Sequence, residues 1–180
     1  NDAVKGCCEK AMNENKKGVN CIEASAALWM RDEIVWIDGS KGQRDALRAQ
    51  ACATGEMIRL NEDLLPECYL HRTAVNDVAR VEDRTFICTR SEEDAGPINN
   101  WMDPTEAYKM AGELFKGSMT GRTMYVIPYS LGLAGSEFST IGIALTERSY
   151  AVLNPEILTS CVPDRPAALH APVDFASRAH

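Results

Sequence analysis

The sequence has no long hydrophobic run and no concentration of positive charge. No apolar stretch approaches the roughly 20 residues that cross a bilayer, and the N-terminus lacks the cationic, apolar and small-residue order of a secretory signal. The formal net charge is -7, and Lys16 and Lys17 form the only adjacent basic pair. An anionic membrane or duplex nucleic acid is therefore not expected as a partner.

Paired cysteines and histidines are also missing. The sequence has no Cys-x-x-Cys motif, and its three histidines (71, 170 and 180) show no paired spacing. The seven cysteines stand at positions 7, 8, 21, 52, 68, 88 and 161. This odd and irregular set argues against a metal cluster or a disulfide framework. Reduced thiols, mostly buried as small apolar side chains, are expected instead, and they favour a cytoplasmic location.

The 180 residues are 45% hydrophobic and 25% charged, which suits one globular domain with a real core. We find no internal repeat and no low-complexity tract. The first residue is Asn1 rather than Met, so we expect that the natural start is missing or was trimmed.

Three segments carry helix signals. Residues 1–32 turn from polar to alanine-rich and predict a helix. Ser40 lies three residues before Gln43, a capping box that predicts a helix to about Ala53, with Gly55 as its left-handed end. Its apolar face is predicted from Ala46, Leu47, Ala51 and Thr54.

The third helix begins at a stronger signal. Asp103 is a cap residue, Pro104 suits the first helical position, and Glu106 suits the third. Gly117 ends the pattern. The predicted buried stripe consists of Tyr108, Ala111, Leu114 and Phe115.

Strand signals alternate with these helices. Residues 123–127 are almost continuously apolar and predict the central strand of a sheet. The other predicted strands span residues 34–37, 56–61, 85–89, 138–145 and 150–153, the last two joined by a turn at 147–148. This alternation predicts an α/β fold, a mixed α+β sheet domain rather than a bundle or a sandwich.

Several loops invite functional interpretations that their residues do not support. In residues 116–123, three residues separate Gly117 from Gly121, and Arg122 stands where a phosphate loop has Lys, so a helix-to-strand turn is predicted. For the acidic residues 92–94 we favour a solvated loop over a divalent metal site.

Two further loops bear polar side chains. Asn99 and Asn100 beside Trp101 could contact a ligand, but a loop anchored by a buried tryptophan is favoured. The serines at 130, 136 and 139 have no histidine near them in the sequence, which leaves a serine hydrolase unsupported.

An ordered set of motifs identifies a family. IVWIDGS at 34–40, the run at 52–80 ending in NDVAR, the continuation to residue 101, WMDPTEAY and GRTMYVIPYSLG together resemble the N-terminal part of GTP-dependent phosphoenolpyruvate carboxykinase. The resemblance covers roughly residues 33–159. It implies the family's N-terminal domain fold, a substrate-responsive loop at 78–85 and a glycine-containing turn at 132–136.

The same resemblance places Arg80 on the family's arginine that binds a carboxylate of oxaloacetate or phosphoenolpyruvate. A guanidinium offers a rigid fork that matches a carboxylate. From the residues alone, an ordinary ion pair with Glu82 or Asp83 is favoured; the resemblance reverses that preference. No catalytic, metal-ligating or cofactor-binding residue is assigned.

The resemblance implies a complete enzyme that uses GTP and Mn²⁺ or Mg²⁺ and acts as a monomer. The phosphate loop, metal ligands and guanine pocket of its C-terminal nucleotide domain are absent from this sequence, so the chain alone is expected to be inactive. Residues 1–160 are predicted to be the partial N-terminal domain, and residues 161–180 an unmatched, poorly ordered tail. A frame error or truncation near residue 160 is one hypothesis for this tail, and a native shortened paralogue is another.

Two alternatives to the enzyme interpretation stay open. One is a stand-alone module that binds small dicarboxylates through Arg80. The other is a gene product without function, which predicts exposed apolar surface where a missing domain would pack.

Overall fold

The structure is a computed structural model that describes residues 16–73, 81–131, 140–155 and 176–179. The helices are α1 (Lys16–Trp29), α2 (Lys41–Ala53), α3 (Pro104–Phe115) and α4 (Ser149–Leu153). The strands are β1 (Glu33–Trp36), β2 (Met57–Arg59), β3 (Tyr69–His71), β4 (Phe86–Ile87), β5 (Asn100–Trp101), β6 (Thr123–Leu131), β7 (Thr140–Thr146) and β8 (Ala176–Ala179). Two 3₁₀ turns span Glu82–Arg84 and Glu92–Ala95.

The main sheet has the strand order β1-β6-β7-β8. β6 pairs in parallel with β1 and antiparallel with β7, and β7 pairs in parallel with β8. β6 therefore lies inside the sheet, which confirms the prediction for residues 123–127. Two small sheets, β2 with β3 and β4 with β5, stand beside it.

Alternate side chains of β6 face the two layers of helices. Met124 and Val126 pack in a cluster with Ile22, Ala26 and Trp29 of α1. On the other face, a second cluster joins β6 to α2 and α4 through Tyr125, Ile127, Leu47, Ala51, Val152 and Leu153. Because a strand's side chains alternate between its faces, one apolar run supplies both cores. The predicted α/β class is confirmed.

The predicted capping signal for α2 is confirmed, with one change in its bonding. Ser40 Oγ accepts a hydrogen bond from Gln43 N at 3.2 Å. The Gln43 side chain does not return to Ser40; it accepts from Asp38 N at 2.8 Å and donates to Trp36 O at 2.7 Å. Gln43 therefore fixes the end of β1 to the start of α2. Gly55 has a φ of +77°, the left-handed conformation that was predicted.

Not every position assigned to an apolar face is buried. On α2, Leu47 and Ala51 are buried, whereas Ala46 and Thr54 are exposed. Thr54 lies at the helix end, where its hydroxyl donates to Ala51 O.

The predicted buried stripe on α3 is wrong. Tyr108 is 83% exposed, Leu114 72% and Phe115 42%, and Ala111 is half-buried. The predicted Asp103 cap is present, with Oδ1 accepting from the backbone N–H groups of residues 105 and 106. Sequence periodicity gave the helix correctly, but it could not show how little of the helix the described residues cover.

Two strand predictions also need correction. Residues 150–153, predicted as a strand, belong to helix α4. The prediction failed because a short apolar run has no periodicity that distinguishes a strand from a helix. The strand predicted at 85–89 is limited to β4, and its Ile87 is 38% exposed.

The described residues near the end of the chain form strand β8. β8 pairs with β7, with Gly142 opposite Ala176. It lies within residues 161–180, the segment predicted to be poorly ordered; the other residues of that segment lie outside the described part. The domain boundary at residue 160 stays a prediction.

Candidate functional site

A cleft of about 760 Å³ opens on the side of the sheet that carries α2 and α4. Its walls are the end of α2, the two ends of the β2–β3 hairpin, and the loop that leads into α4. Tyr125 of β6 and Gln50 of α2 also line it. The cleft collects side chains that lie far apart in the sequence.

Glu56 connects two walls of the cleft. Its carboxylate accepts from Ser149 Oγ at 2.5 Å and from Tyr150 N at 3.4 Å, at the start of α4. Its backbone carbonyl accepts from His71 Nδ1 at 2.7 Å. One residue at the start of the hairpin therefore bonds both to the end of the hairpin and to α4, and it satisfies an N–H group that a helix start leaves unpaired.

His71 and Tyr150 form a flat aromatic surface in the cleft. Their rings stack with centroids 3.6 Å apart and an angle of 15° between planes. Because a carbonyl oxygen only accepts, His71 Nδ1 carries the proton in its bond to Glu56. In neutral His71, Nε2 is therefore left as an acceptor.

Charged groups lie at the rim. Glu147 accepts from Arg122 through one carboxylate oxygen, and Arg148 Nε lies 3.5 Å from the other. The hydrogen bond to Glu147 holds the pKa of Arg122 above its ordinary value. Arg72 lines the cleft directly after β3.

Tyr125 is a buried phenol between the sheet and the cleft. Burial raises the pKa of Tyr125 above its ordinary value, because ionisation would place a charge in an apolar environment. A hydrogen bond with Gln50 acts in the opposite direction and lowers it. The phenol is thus held in its neutral form.

A smaller cavity of about 280 Å³ lies on the outer side of α2. There the ring of Tyr69 has the guanidinium carbon of Arg48 at 5.4 Å and that of Arg59 at 5.9 Å from its centroid. Asp45 bonds to Lys41 at 2.6 Å, and this hydrogen bond lowers the pKa of Asp45. These charges neutralise one another within the wall.

The predicted substrate residue, Arg80, lies outside the described residues, as does the turn at 132–136. Of the loop predicted at 78–85, the described part begins at Val81, whose carbonyl accepts from Thr85 Oγ1 at 2.6 Å. The assignment of Arg80 stays a prediction.

The loop at 116–123 is a helix-to-strand turn, as predicted. Gly117 and Gly121 have positive φ values of 70° and 76°, and β6 begins at Thr123. Gly121 N donates to Asp32 Oδ1 at 3.1 Å. A backbone donor that a phosphate loop would offer to its ligand is therefore bonded within the protein.

The loop before α3 is held by its own polar side chains. Asn99 Nδ2 donates to Ala95 O at 2.7 Å, and Asn100 Nδ2 donates to Glu82 O at 2.8 Å. Trp101 Nε1 donates to Thr89 O at 3.1 Å. These bonds give all three side chains a structural role, in agreement with the predicted tryptophan-anchored loop, although the Trp101 side chain is only half-buried.

The described ranges contain neither a cluster of metal ligands nor a membrane-spanning helix. There, no three His, Cys, Asp or Glu side chains are grouped so that they could hold a metal ion. Among these residues there is also no helix with the length and apolarity needed to cross a membrane.

Comparison with known proteins identifies the family. The family described as "Phosphoenolpyruvate carboxykinase N-terminal domain" matches residues 20–180. The chain belongs to this family. The matched range extends beyond residues 33–159, on which the sequence resemblance rests.

Curated relatives carry one name, "Phosphoenolpyruvate carboxykinase [GTP]". The protein of Anaeromyxobacter sp. (strain K) is 44% identical over 137 residues, which cover 76% of this chain and 23% of the relative. That of Corynebacterium jeikeium (strain K411) is 39% identical over 156 residues, covering 87% and 26%. That of Chlamydia pneumoniae is 44% identical over 138 residues, covering 77% and 23%. The chain thus spans about a quarter of the length of these relatives.

Sequence reasoning did not find the cleft. Glu56 and Ser149 are 93 positions apart, and no motif or spacing connects them. Arg72 adjoins His71 in the sequence, but that pair has no pattern typical of a site. Only the packing of the hairpin against α4 brings these residues together.

Proposed function

We propose that this chain supplies the substrate-carboxylate-binding part of a GTP-dependent phosphoenolpyruvate carboxykinase. The complete enzyme converts oxaloacetate and GTP to phosphoenolpyruvate, GDP and CO₂, a lyase reaction of gluconeogenesis in the cytoplasm. The observation that carries the proposal is the 44% identity over 137 residues to relatives of that name. We propose that the complete enzyme acts as a monomer and that the part of the relatives beyond this chain provides its nucleotide domain.

Arg80 binds a carboxylate of oxaloacetate or phosphoenolpyruvate in this proposal. The planar guanidinium can donate two parallel hydrogen bonds to one carboxylate, which fixes the orientation of the substrate as well as its position. Phosphoryl transfer depends mainly on such positioning and on neutralised charge. Arg80 therefore contributes binding and alignment.

GTP and Mn²⁺ or Mg²⁺ belong to other parts of the proposed enzyme. The described residues do not fit either group: no three metal-ligating side chains are clustered among them, and in the turn at 116–123 the Gly121 N–H is donated to Asp32. The metal supplies charge neutralisation during phosphoryl transfer when it is bound.

Calorimetric titration of the 180-residue chain with oxalate, a stable dicarboxylate, tests the role of Arg80. We expect saturable binding that is weakened about 10- to 100-fold in Arg80→Ala, because a charge-assisted hydrogen bond contributes about 1.5–3 kcal/mol. Arg84→Ala, which removes a nearby arginine, should leave the affinity unchanged. Equal affinities of the wild-type chain and Arg80→Ala would refute the assignment.

In a complete enzyme that contains this sequence, the same substitution should raise the KM for oxaloacetate sharply. The KM for GTP should change little, because Arg80 contacts the carboxylate substrate rather than the nucleotide. An unchanged KM for oxaloacetate would contradict the proposal even if the isolated chain binds oxalate.

A further inference from the structure

The cleft beside α4 contains two arginines on different elements. Arg72 follows β3 at the end of the hairpin, and Arg148 precedes the first residue of α4. The two walls that carry them are held together by the bonds of Glu56 and the His71–Tyr150 stack. The backbone that presents both guanidinium groups is therefore fixed before any ligand arrives.

The acidic side chains of the cleft are already occupied by bonds within the protein. Glu56 accepts hydrogen bonds from Ser149 Oγ and Tyr150 N. Glu147 accepts from Arg122 and lies within ion-pair distance of Arg148. Both carboxylates serve to position α4 and its preceding loop.

The two arginines retain donors for a ligand. Within the described ranges, Arg72 has no hydrogen-bond or ion-pair partner. Arg148 has one contact, between its Nε and Glu147 at 3.5 Å, and its side chain is 70% exposed. Each guanidinium has five N–H donors, so both groups can bind oxyanions without losing an internal partner.

The size and polar lining of the cleft suit a small molecule. Its volume of about 760 Å³ lies within the roughly 300–1,000 Å³ of small-ligand sites. Gln50 and Thr73 add neutral hydrogen-bonding groups, and the His71–Tyr150 stack adds a flat surface. Such a lining orients an organic acid or a phosphate ester without adding charge.

We propose that this cleft is an anion-binding site in which Arg72 and Arg148 hold two carboxylate or phosphate groups of one small molecule. The site consists only of described residues and does not depend on Arg80. It therefore goes beyond the proposed carboxykinase function, and either proposal can fail without the other.

The site is tested with two anions, one uncharged control ligand and one control variant. The chain carrying Arg80→Ala, which removes the carboxylate site proposed above, is titrated by calorimetry with pyrophosphate and with oxalate. Oxamide serves as the uncharged counterpart of oxalate. The variants are Arg72→Gln, Arg148→Gln and both together. Arg59→Gln is the matched control, because Arg59 lies on the same hairpin, is paired with Glu62 and lines the other cavity.

We expect at least one of the two anions to bind saturably and oxamide not to bind. Each single variant should weaken binding about tenfold and the double variant about 100-fold or more, while Arg59→Gln has no effect. The side-chain Nε–H signals of Arg72 and Arg148 in an NMR titration should shift with the same dissociation constant. A response to pyrophosphate alone identifies a phosphate ligand, and a response to oxalate alone identifies a carboxylate.

Three results would overturn the proposal. The first is the absence of saturable binding of either anion. The second is binding that the double variant retains when it and the reference chain both carry Arg80→Ala. The third is an equal loss in Arg59→Gln, which would indicate unspecific charge attraction. Arg72→Lys and Arg148→Lys, which keep the charge and lose the fork, should bind with intermediate affinity, and circular dichroism checks that every variant is folded.

Discussion

Tyr125 contributes to the packing of the core and also makes the stability of the fold depend on pH. Its ring belongs to the core between β6, α2 and α4, while its edge faces the cleft. Burial raises its pKa, so the folded state binds the phenolic proton more tightly than the unfolded state does. The contribution of Tyr125 to stability is therefore complete below the unfolded pKa of about 10 and declines above it.

We predict that the free energy of unfolding falls more steeply above about pH 10 in the wild-type chain than in Tyr125→Phe. Urea denaturation between pH 8 and pH 11 measures both profiles. Tyr108→Phe is the control, since Tyr108 is exposed on α3 and should leave the slope unchanged. Parallel profiles for wild type and Tyr125→Phe would show that the Tyr125 phenol does not determine the alkaline limit.

Glu56 shows what sequence analysis could and could not provide at this scale. The residue stands in a segment predicted as a strand, and that prediction describes the backbone of its neighbours in β2 correctly. The carboxylate bonds to Ser149 and Tyr150 depend on where α4 lies. Local patterns carry no information about such a distant partner, so the cleft could not be predicted.

Among the elements, β6 and β7 form the longest strand pair of the sheet, with seven residue pairs from Tyr125↔Thr146 to Leu131↔Thr140. Gly142 lies directly opposite Tyr129 in this register. An added Cβ at residue 142 would come within 2.4 Å of Tyr129 Cζ and 2.5 Å of its hydroxyl oxygen. The tyrosine ring thus lies over the glycine, and the pair fits only because that position lacks a side chain.

We predict that Gly142→Ala lowers the free energy of unfolding by about 1–3 kcal/mol, because the half-buried Tyr129 ring must leave its position over residue 142. Combining it with Tyr129→Ser should cost less than the sum of the two single changes, since the clash disappears. Chemical denaturation of the four proteins measures this coupling. Gly112→Ala on α3 is the control: its Cβ meets open space, and a gain of about 0.5–1 kcal/mol is expected. An additive double variant would contradict the steric explanation.

Helix α3 could be predicted from the sequence, whereas helix α4 could not. The cap and proline at the start of α3 predict its position, because those signals act over three or four residues. The four apolar residues of α4 lack such a signal, and their composition alone predicts a strand. Here Glu56 bonds to the first turn, and Val152 and Leu153 pack against the sheet, which favours the helix.

For the molecule as a whole, the notable feature is the apolar surface that the described residues leave exposed. Twelve large hydrophobic side chains there are exposed, among them Ile98 at 92%, Tyr108 and Leu114. The β2–β3 hairpin carries a second group, in which Ile58 and Leu70 lie opposite each other. Exposed apolar side chains that adjoin one another, as Ile58 and Leu70 do, favour association.

We predict that the 180-residue chain binds a hydrophobic fluorescent dye and self-associates, and that Tyr108→Lys combined with Leu114→Lys reduces both. The control combines Thr105→Lys with Glu113→Gln, which changes the charge of α3 by the same amount at polar positions. Dye fluorescence and sedimentation velocity give the two measurements. A similar decrease in the control would attribute the effect to charge rather than to apolar area.

Elements with local causes could be predicted from the amino-acid sequence. The caps at Ser40 and Asp103, the left-handed Gly55 and the apolar run of β6 depend on residues a few positions apart, and each is found as predicted. Family membership was also accessible, because ordered motifs survive in the chain.

The tertiary structure alone decided which surfaces are covered and which side chains meet. The exposure of α3, the helical state of residues 149–153 and the cleft around Glu56 follow from contacts between distant segments. Hydrophobic periodicity predicts that a helix face is buried, but it does not predict which element covers that face. The hydrogen-bond partner of a carboxylate is likewise fixed only in the folded chain. For this reason the sequence could not predict that Arg72 and Arg148 line the same cleft.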